Sequence, residues 1–181
     1  MKLRLFALFL CLSFAATAIA KEIELPDSCG DPNTKFEVTT HKSTDPLPAP
    51  DAGKGMIVFI QPFKPPACVG CAAQRYAMDG QWVGATQKDS YFTLQVKPGG
   101  HHFCSTGPLA NEIAIRSFEV KAGTTYFLQA RLITGGPLTQ EEFDSQISCE
   151  NKRFHYGMSL LDEEKGKYLI KSFEVAEFKK K

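Results

Sequence analysis

From Gly55 to Val120 the chain alternates apolar and polar positions in short runs, separated by turn residues at a spacing of roughly 8–12 positions, as in an antiparallel sandwich. In Met56 to Gln61 both faces are apolar, with Met56, Val58 and Ile60 on one side and Ile57 and Phe59 on the other, which predicts a central strand covered on both faces. The proline-rich QPFKPPA then ends it, because proline cannot donate to a ladder. Arg75 to Met78 and Gln81 to Ala85 flank Asp79-Gly80, a dipeptide suited to the two positive-φ positions of a type I′ hairpin turn. In the next strand Phe92, Leu94 and Val96 share the predicted core face, and Tyr91, Thr93 and Gln95 share the other.

Lys97-Pro98-Gly99-Gly100 predicts a hairpin reversal that puts His101 and Phe103 on the core face and His102 and Cys104 together on the opposite one. Ile113 to Val120 and Thr124 to Ile133 follow, joined by Lys121-Ala122-Gly123; in the second, Tyr126, Leu128, Ala130 and Leu132 are expected in the core and Gln129 and Arg131 in water. Residues 135–153 are polar and irregular, with a helical turn expected over Gln140 to Ser145. A strand resumes from Phe154 to Leu161. Asp162 reads as an N-cap, with Glu163 and Glu164 where the helix dipole favours negative charge, so a short helix is predicted from Glu163 to about Lys171 and a closing strand from Phe173 to Phe178.

The expected class is therefore mainly β: an antiparallel immunoglobulin-like or transthyretin-like sandwich over residues 55–178 with one short C-terminal helix. Residues 21–54 contain one predicted strand, Lys35 to Thr40, in an otherwise extended segment rich in Pro, Ala, Asp and Gly. Residues 1–20 read as a secretory signal peptide: Lys2 and Arg4, the apolar run Leu5 to Leu12, and small residues at Ala18-Ile19-Ala20. Leu8-Phe9-Leu10 before Cys11 lacks the small residue of a lipoprotein signal. A periplasmic or extracellular location is expected, with no membrane-spanning segment after cleavage.

Losing Lys2 and Arg4 takes the 21 basic residues to 19 against 20 acidic ones, so no general field draws nucleic acid or anionic membrane. Lys179 to Lys181 reads as a solvated basic tail. Export makes disulfides the default for Cys29, Cys68, Cys71, Cys104 and Cys149. Two bridges among five thiols leave one over, and fifteen arrangements are open.

Cys68-x-x-Cys71 has a redox-motif spacing, but Pro65-Pro66 precede it and a strand follows, so a structural disulfide is the simpler expectation. With His102 and Cys104 the pair also offers a ligand set for Zn or Cu, the alternative to a protein without cofactor. No nucleophile elbow or phosphate loop is present. Tyr76, Trp82 and Tyr91, around the Asp-Gly turn, are candidates for an aromatic platform that binds a sugar or peptide, with core packing or cross-strand pairing the simpler expectation.

The ordered series Asp79-Gly80-Gln81-Trp82-Val83-Gly84, Pro98-Gly99-Gly100-His101 and Ala122-Gly123-Thr124-Thr125-Tyr126-Phe127, with the apolar strand before it and SLLDEEKGKYLIK after it, resembles a domain-of-unknown-function family of exported bacterial proteins and lipoproteins related in pattern to PEGA-type sandwiches. The resemblance spans about residues 54–172. It implies an immunoglobulin-like or transthyretin-like sandwich at the cell envelope and brings no catalytic residues. The expected function is non-enzymatic: structural, or binding an envelope protein or glycan. The alternative is a periplasmic metal-binding or thiol-redox protein built on Cys68, Cys71, His102 and Cys104.

Overall fold

The structure is a computed structural model that describes residues 25–62, 73–107, 112–133, 137–148 and 155–181. Its strands are β1 (Phe36–His41), β2 (Gly55–Gln61), β3 (Gln74–Met78), β4 (Gln81–Thr86), β5 (Ser90–Val96), β6 (Gly99–Thr106), β7 (Ile113–Val120) and β8 (Thr125–Ile133). Then come helix α1 (Gln140–Ser145), β9 (Gln146–Ser148), β10 (His155–Leu161), helix α2 (Glu163–Ile170) and β11 (Glu174–Lys180). The strands form two sheets, ordered β1-β11-β5-β2-β8-β10 and β4-β3-β6-β7-β9.

The double apolar face of β2 places it in the interior of the six-stranded sheet. Ile57 and Phe59 point between the sheets, where Phe59 stacks on Phe92 at 4.7 Å and meets Tyr76 at 5.0 Å. Met56, Val58 and Ile60 point to the outer face, where Phe127, Leu47, Tyr91, Ile170 and Phe173 cover them. Gly166 of α2 makes that cover possible, since a Cβ there would stand 2.2 Å from the Phe127 ring. The inner faces meet as alternation predicts: Phe92, Val96, Leu128 and Ala130 oppose Tyr76, Phe103, Ala114 and Val120.

Asp79 (φ 51°) and Gly80 (φ 80°) make the expected positive-φ turn between β3 and β4. Both helices begin at side-chain caps. Asp162 accepts from Lys165 N–H at 2.8 Å, and Thr139 and Glu142 form a reciprocal capping box.

Several expectations are corrected. The turn at Lys97-Pro98 makes no hairpin: β5 pairs with β2 and β11, whereas β6 pairs with β3 and β7, so the chain crosses from one sheet to the other. The parity still holds, because both strands turn one face to the same core: Phe103 is buried inside, and His102 and Cys104 point away from it. Two pairings, β11 with β5 and β2 with β8, are parallel, so the sandwich is not antiparallel throughout. Gln129 is buried rather than solvated, and Arg131 binds Glu142 of α1 at 2.5 Å. β1 is an edge strand of the six-stranded sheet, paired along its whole length with β11. Lys179 and Lys180, expected in a tail, are the last residues of β11. Among the described residues no helix is long and apolar enough to cross a membrane.

Candidate functional site

The cysteine and metal expectations resolve first. Cys29 and Cys104 form a disulfide with Cα atoms 5.2 Å apart, buried on the outer face of the five-stranded sheet. A sulfur committed to that bond is no thiolate ligand. Cys104 is therefore lost to the Zn or Cu set expected of Cys68, Cys71, His102 and Cys104. Cys68, Cys71 and Cys149 lie outside the described residues. His102 is exposed, with Nδ1 2.6 Å from Ser117 Oγ on the neighbouring strand. Among the described residues no three His, Cys, Asp or Glu side chains cluster as metal ligands.

The aromatic trio does not assemble either, because the three residues occupy three different layers. Tyr76 is wholly buried between the sheets, where its hydroxyl donates to the Ile60 carbonyl at 3.3 Å and accepts from Gln74 Nε2 at 2.5 Å. Trp82 lies on the outer face of the five-stranded sheet, under the segment that carries Cys29. Its Nε1 donates to the Asp31 carbonyl at 2.7 Å, Arg75 stands 4.5 Å from its ring centroid, and a Cβ on Gly30 would be 2.4 Å from the ring. Arg75 donates onward to the Pro32 and Thr34 carbonyls at 3.0 and 2.8 Å. Trp82 and Arg75 thus dock the N-terminal segment, alongside the disulfide. Tyr91 alone faces a recess, on the outer side of the six-stranded sheet.

His101 is occupied structurally. Nδ1 lies 2.7 Å from the Asp79 carboxylate and Nε2 2.9 Å from the Lys97 carbonyl, two acceptors that only the doubly protonated ring satisfies together. Burial works against the charge of both His101 and Asp79. Their mutual hydrogen bond and attraction, with the Lys97 carbonyl on one and the His102 N–H on the other, outweigh it; the imidazole pKa is raised and the carboxyl pKa lowered. The pair braces the β3–β4 turn against the start of β6.

A buried polar network crosses one end of the core. Thr86 Oγ1 donates to Gln61 Oε1 at 2.7 Å, Ser105 Oγ lies 2.5 Å from the Tyr156 hydroxyl, and Gln74 Nε2 also donates to the Ala130 carbonyl at 3.1 Å. Burial pushes both tyrosine hydroxyls well above their ordinary pKa, which keeps them neutral donors. These side chains are bonded in pairs and to backbone carbonyls, and Gln74 Oε1 stays buried without a hydrogen-bond partner.

Among the described residues, a groove of about 280 Å³ opens where β5 and β11 part. Tyr91, Phe92 and Thr93 line one bank and Val175, Ala176 and Phe178 the other, with Ser43, Asp45, Pro46, Leu47 and Pro48 of the β1–β2 connector above. Their parallel register ends at Val175↔Tyr91, although β5 continues to Val96 and β11 to Lys180. Gly84 of β4 lets Phe178 and Phe92 close beneath the gap: a Cβ there would meet their rings at 2.8 and 2.5 Å. Tyr91 was legible as a candidate from its aromatic, outward position. Thr93 and Ala176 were not, since their part depends on the path of β11 and not on residue type.

No family model matches the chain, and neither does any curated protein or solved structure. Over its described residues the chain is mainly β, with two packed sheets, two short helices and a disulfide between Cys29 and Cys104.

Proposed function

We propose that this is an exported, non-enzymatic β-sandwich of the bacterial cell envelope, of immunoglobulin-like or transthyretin-like type, that acts by binding a protein or a glycan. The observation that carries the reading is the groove between β5 and β11. It is a recess in the six-stranded sheet, and its lining of aromatic, aliphatic, proline and hydroxyl side chains includes one charge, Asp45. Such a lining suits recognition through shape and hydrogen bonds. Two features support export. The first twenty residues have the charge and apolar pattern of a signal peptide, and a buried disulfide persists where the surroundings are oxidising.

The test combines cell fractionation with intact mass and a ligand survey. The expected result is a chain outside the cytoplasm, starting at Lys21, with Cys29 and Cys104 joined and with saturable binding to a glycan array or an envelope polypeptide. Retention in the cytoplasm with both thiols reduced, or turnover of an ester, peptide or thiol substrate, contradicts the reading.

A further inference from the structure

We infer that the β5–β11 groove is a strand-accepting site that takes an extended polypeptide segment of a partner protein, hydrogen-bonded along β5. The inference rests on the binding function proposed above and names its partner class.

Strand parity carries the argument. Glu174 N–H donates to the Asp89 carbonyl at 3.1 Å, so the odd-numbered positions of β5 turn their backbone groups toward β11 and the even-numbered ones toward β2. Similarly, Lys181 N–H donates to the Lys35 carbonyl at 2.9 Å, so odd positions of β11 face β1 and even positions face β5. With the register ending at Val175↔Tyr91, the next rung, Thr93 N–H to the Ala176 carbonyl, is not made. Beyond it the backbone groups of Thr93 and Gln95 on one bank, and of Phe178 on the other, face the gap.

The connector overhead does not satisfy them. Its ties to β5 run through the Gln95 side chain, which accepts from Asp51 N–H at 3.0 Å and donates to the Ala49 carbonyl at 3.3 Å. Pro46, Pro48 and Pro50 have no N–H to offer. Among the described residues no backbone bond joins residues 42–50 to β5.

A row of unpaired donors and acceptors at strand spacing is complementary to another extended backbone. The volume, about 280 Å³, falls just under the roughly 300–1,000 Å³ of small-molecule sites, so small side chains fit better than an oligosaccharide. Inward positions of an added strand meet Phe92 and Phe178, and outward ones meet Leu47 and Pro48. Asp45 at the rim favours a segment with a neighbouring positive charge.

The test uses the disulfide-intact exported chain and a soluble probe of alternating threonine and valine flanked by lysines, compared with the same peptide N-methylated at alternate residues. Binding is followed by fluorescence anisotropy and by amide exchange. The expected result is saturable binding of the plain peptide, protection of the Thr93 and Gln95 amides, and at least about a tenfold loss of affinity on methylation of the pairing edge. Thr93→Pro removes one donor that β2 does not use and should weaken binding similarly; the methylation contrast stands even if that variant folds poorly. Equal binding of both peptides, no binding at about 1 mM, or self-association protecting the same two amides overturns the inference. Glycan binding without peptide binding sinks this inference alone and leaves the wider reading intact.

Discussion

At the residue scale His101 and Gly166 are two constrained positions. Because His101 is held as a cation by Asp79 and Lys97, its folded pKa lies above its unfolded value, near 6.5. Its contribution to stability is complete below about pH 6.5 and is lost as pH rises through the raised folded value. Asp79 has the opposite sign: its contribution is present above the ordinary carboxyl pKa of about 3.9 and is lost as pH falls through the lowered folded value. Urea unfolding of the native chain and of His101→Gln across this range should therefore show a stability gap that closes on the alkaline side. A gap independent of pH would mean that the ring is not held charged. Gly166→Ala tests the packing of α2. Alanine gains about 1 kcal/mol of intrinsic helix propensity. Its Cβ, however, would meet Phe127 at Cγ, near the ring's attachment, so the side chain cannot simply swing aside. Overpacking costs about 1–3 kcal/mol, so a net loss of about 1 kcal/mol is expected in thermal or urea unfolding. A gain would show that α2 sits loosely on the sheet.

At the element scale the N-terminal segment belongs to the sandwich through side chains before its first strand begins. The disulfide spans 75 residues and, with Trp82 and Arg75, presses residues 25–34 onto the outer face of the five-stranded sheet. Closing a loop of that length restricts the unfolded chain by about 4 kcal/mol. Cys29→Ala with Cys104→Ala should lower unfolding free energy by about 2–4 kcal/mol and raise hydrogen exchange over residues 25–34 first, before the strands loosen. Unchanged stability would mean that the docking contacts hold the segment without the bond. The pairing could not be read from the sequence, in which five cysteines after residue 20 leave it open, and Trp82 reads there as core or cross-strand packing before it reads as a ligand platform, with nothing to show that it docks residues 25–34. Strands were far more legible: β2, the β3–β4 turn, the inner face of β5 and the start of α2 follow from alternation, Asp79-Gly80 and the cap at Asp162, whereas the cap of α1 at Thr139 emerges only in the structure.

At the scale of the whole molecule, the sequence pattern records which face of a strand is buried, and it does not record which strand lies beside it. The Pro98-Gly99 turn illustrates the gap. It has the residues of a hairpin, yet the chain changes sheets there, and the same alternation serves either arrangement because both inner faces meet one core. The candidate site is a property of this level. β11 begins beside β5 and then parts from it, with Phe178 closing against Gly84, and the divergence leaves the backbone groups of Thr93 and Gln95 on that edge without a strand partner among the described residues. Residue-resolved amide hydrogen exchange of the native, unliganded chain tests this most directly. Phe92 and Leu94, bonded to β2, should exchange slowly, and Thr93 and Gln95 quickly. Equal protection at all four positions would mean that the edge is already paired, and the groove would then have no room in its hydrogen bonding for an added strand.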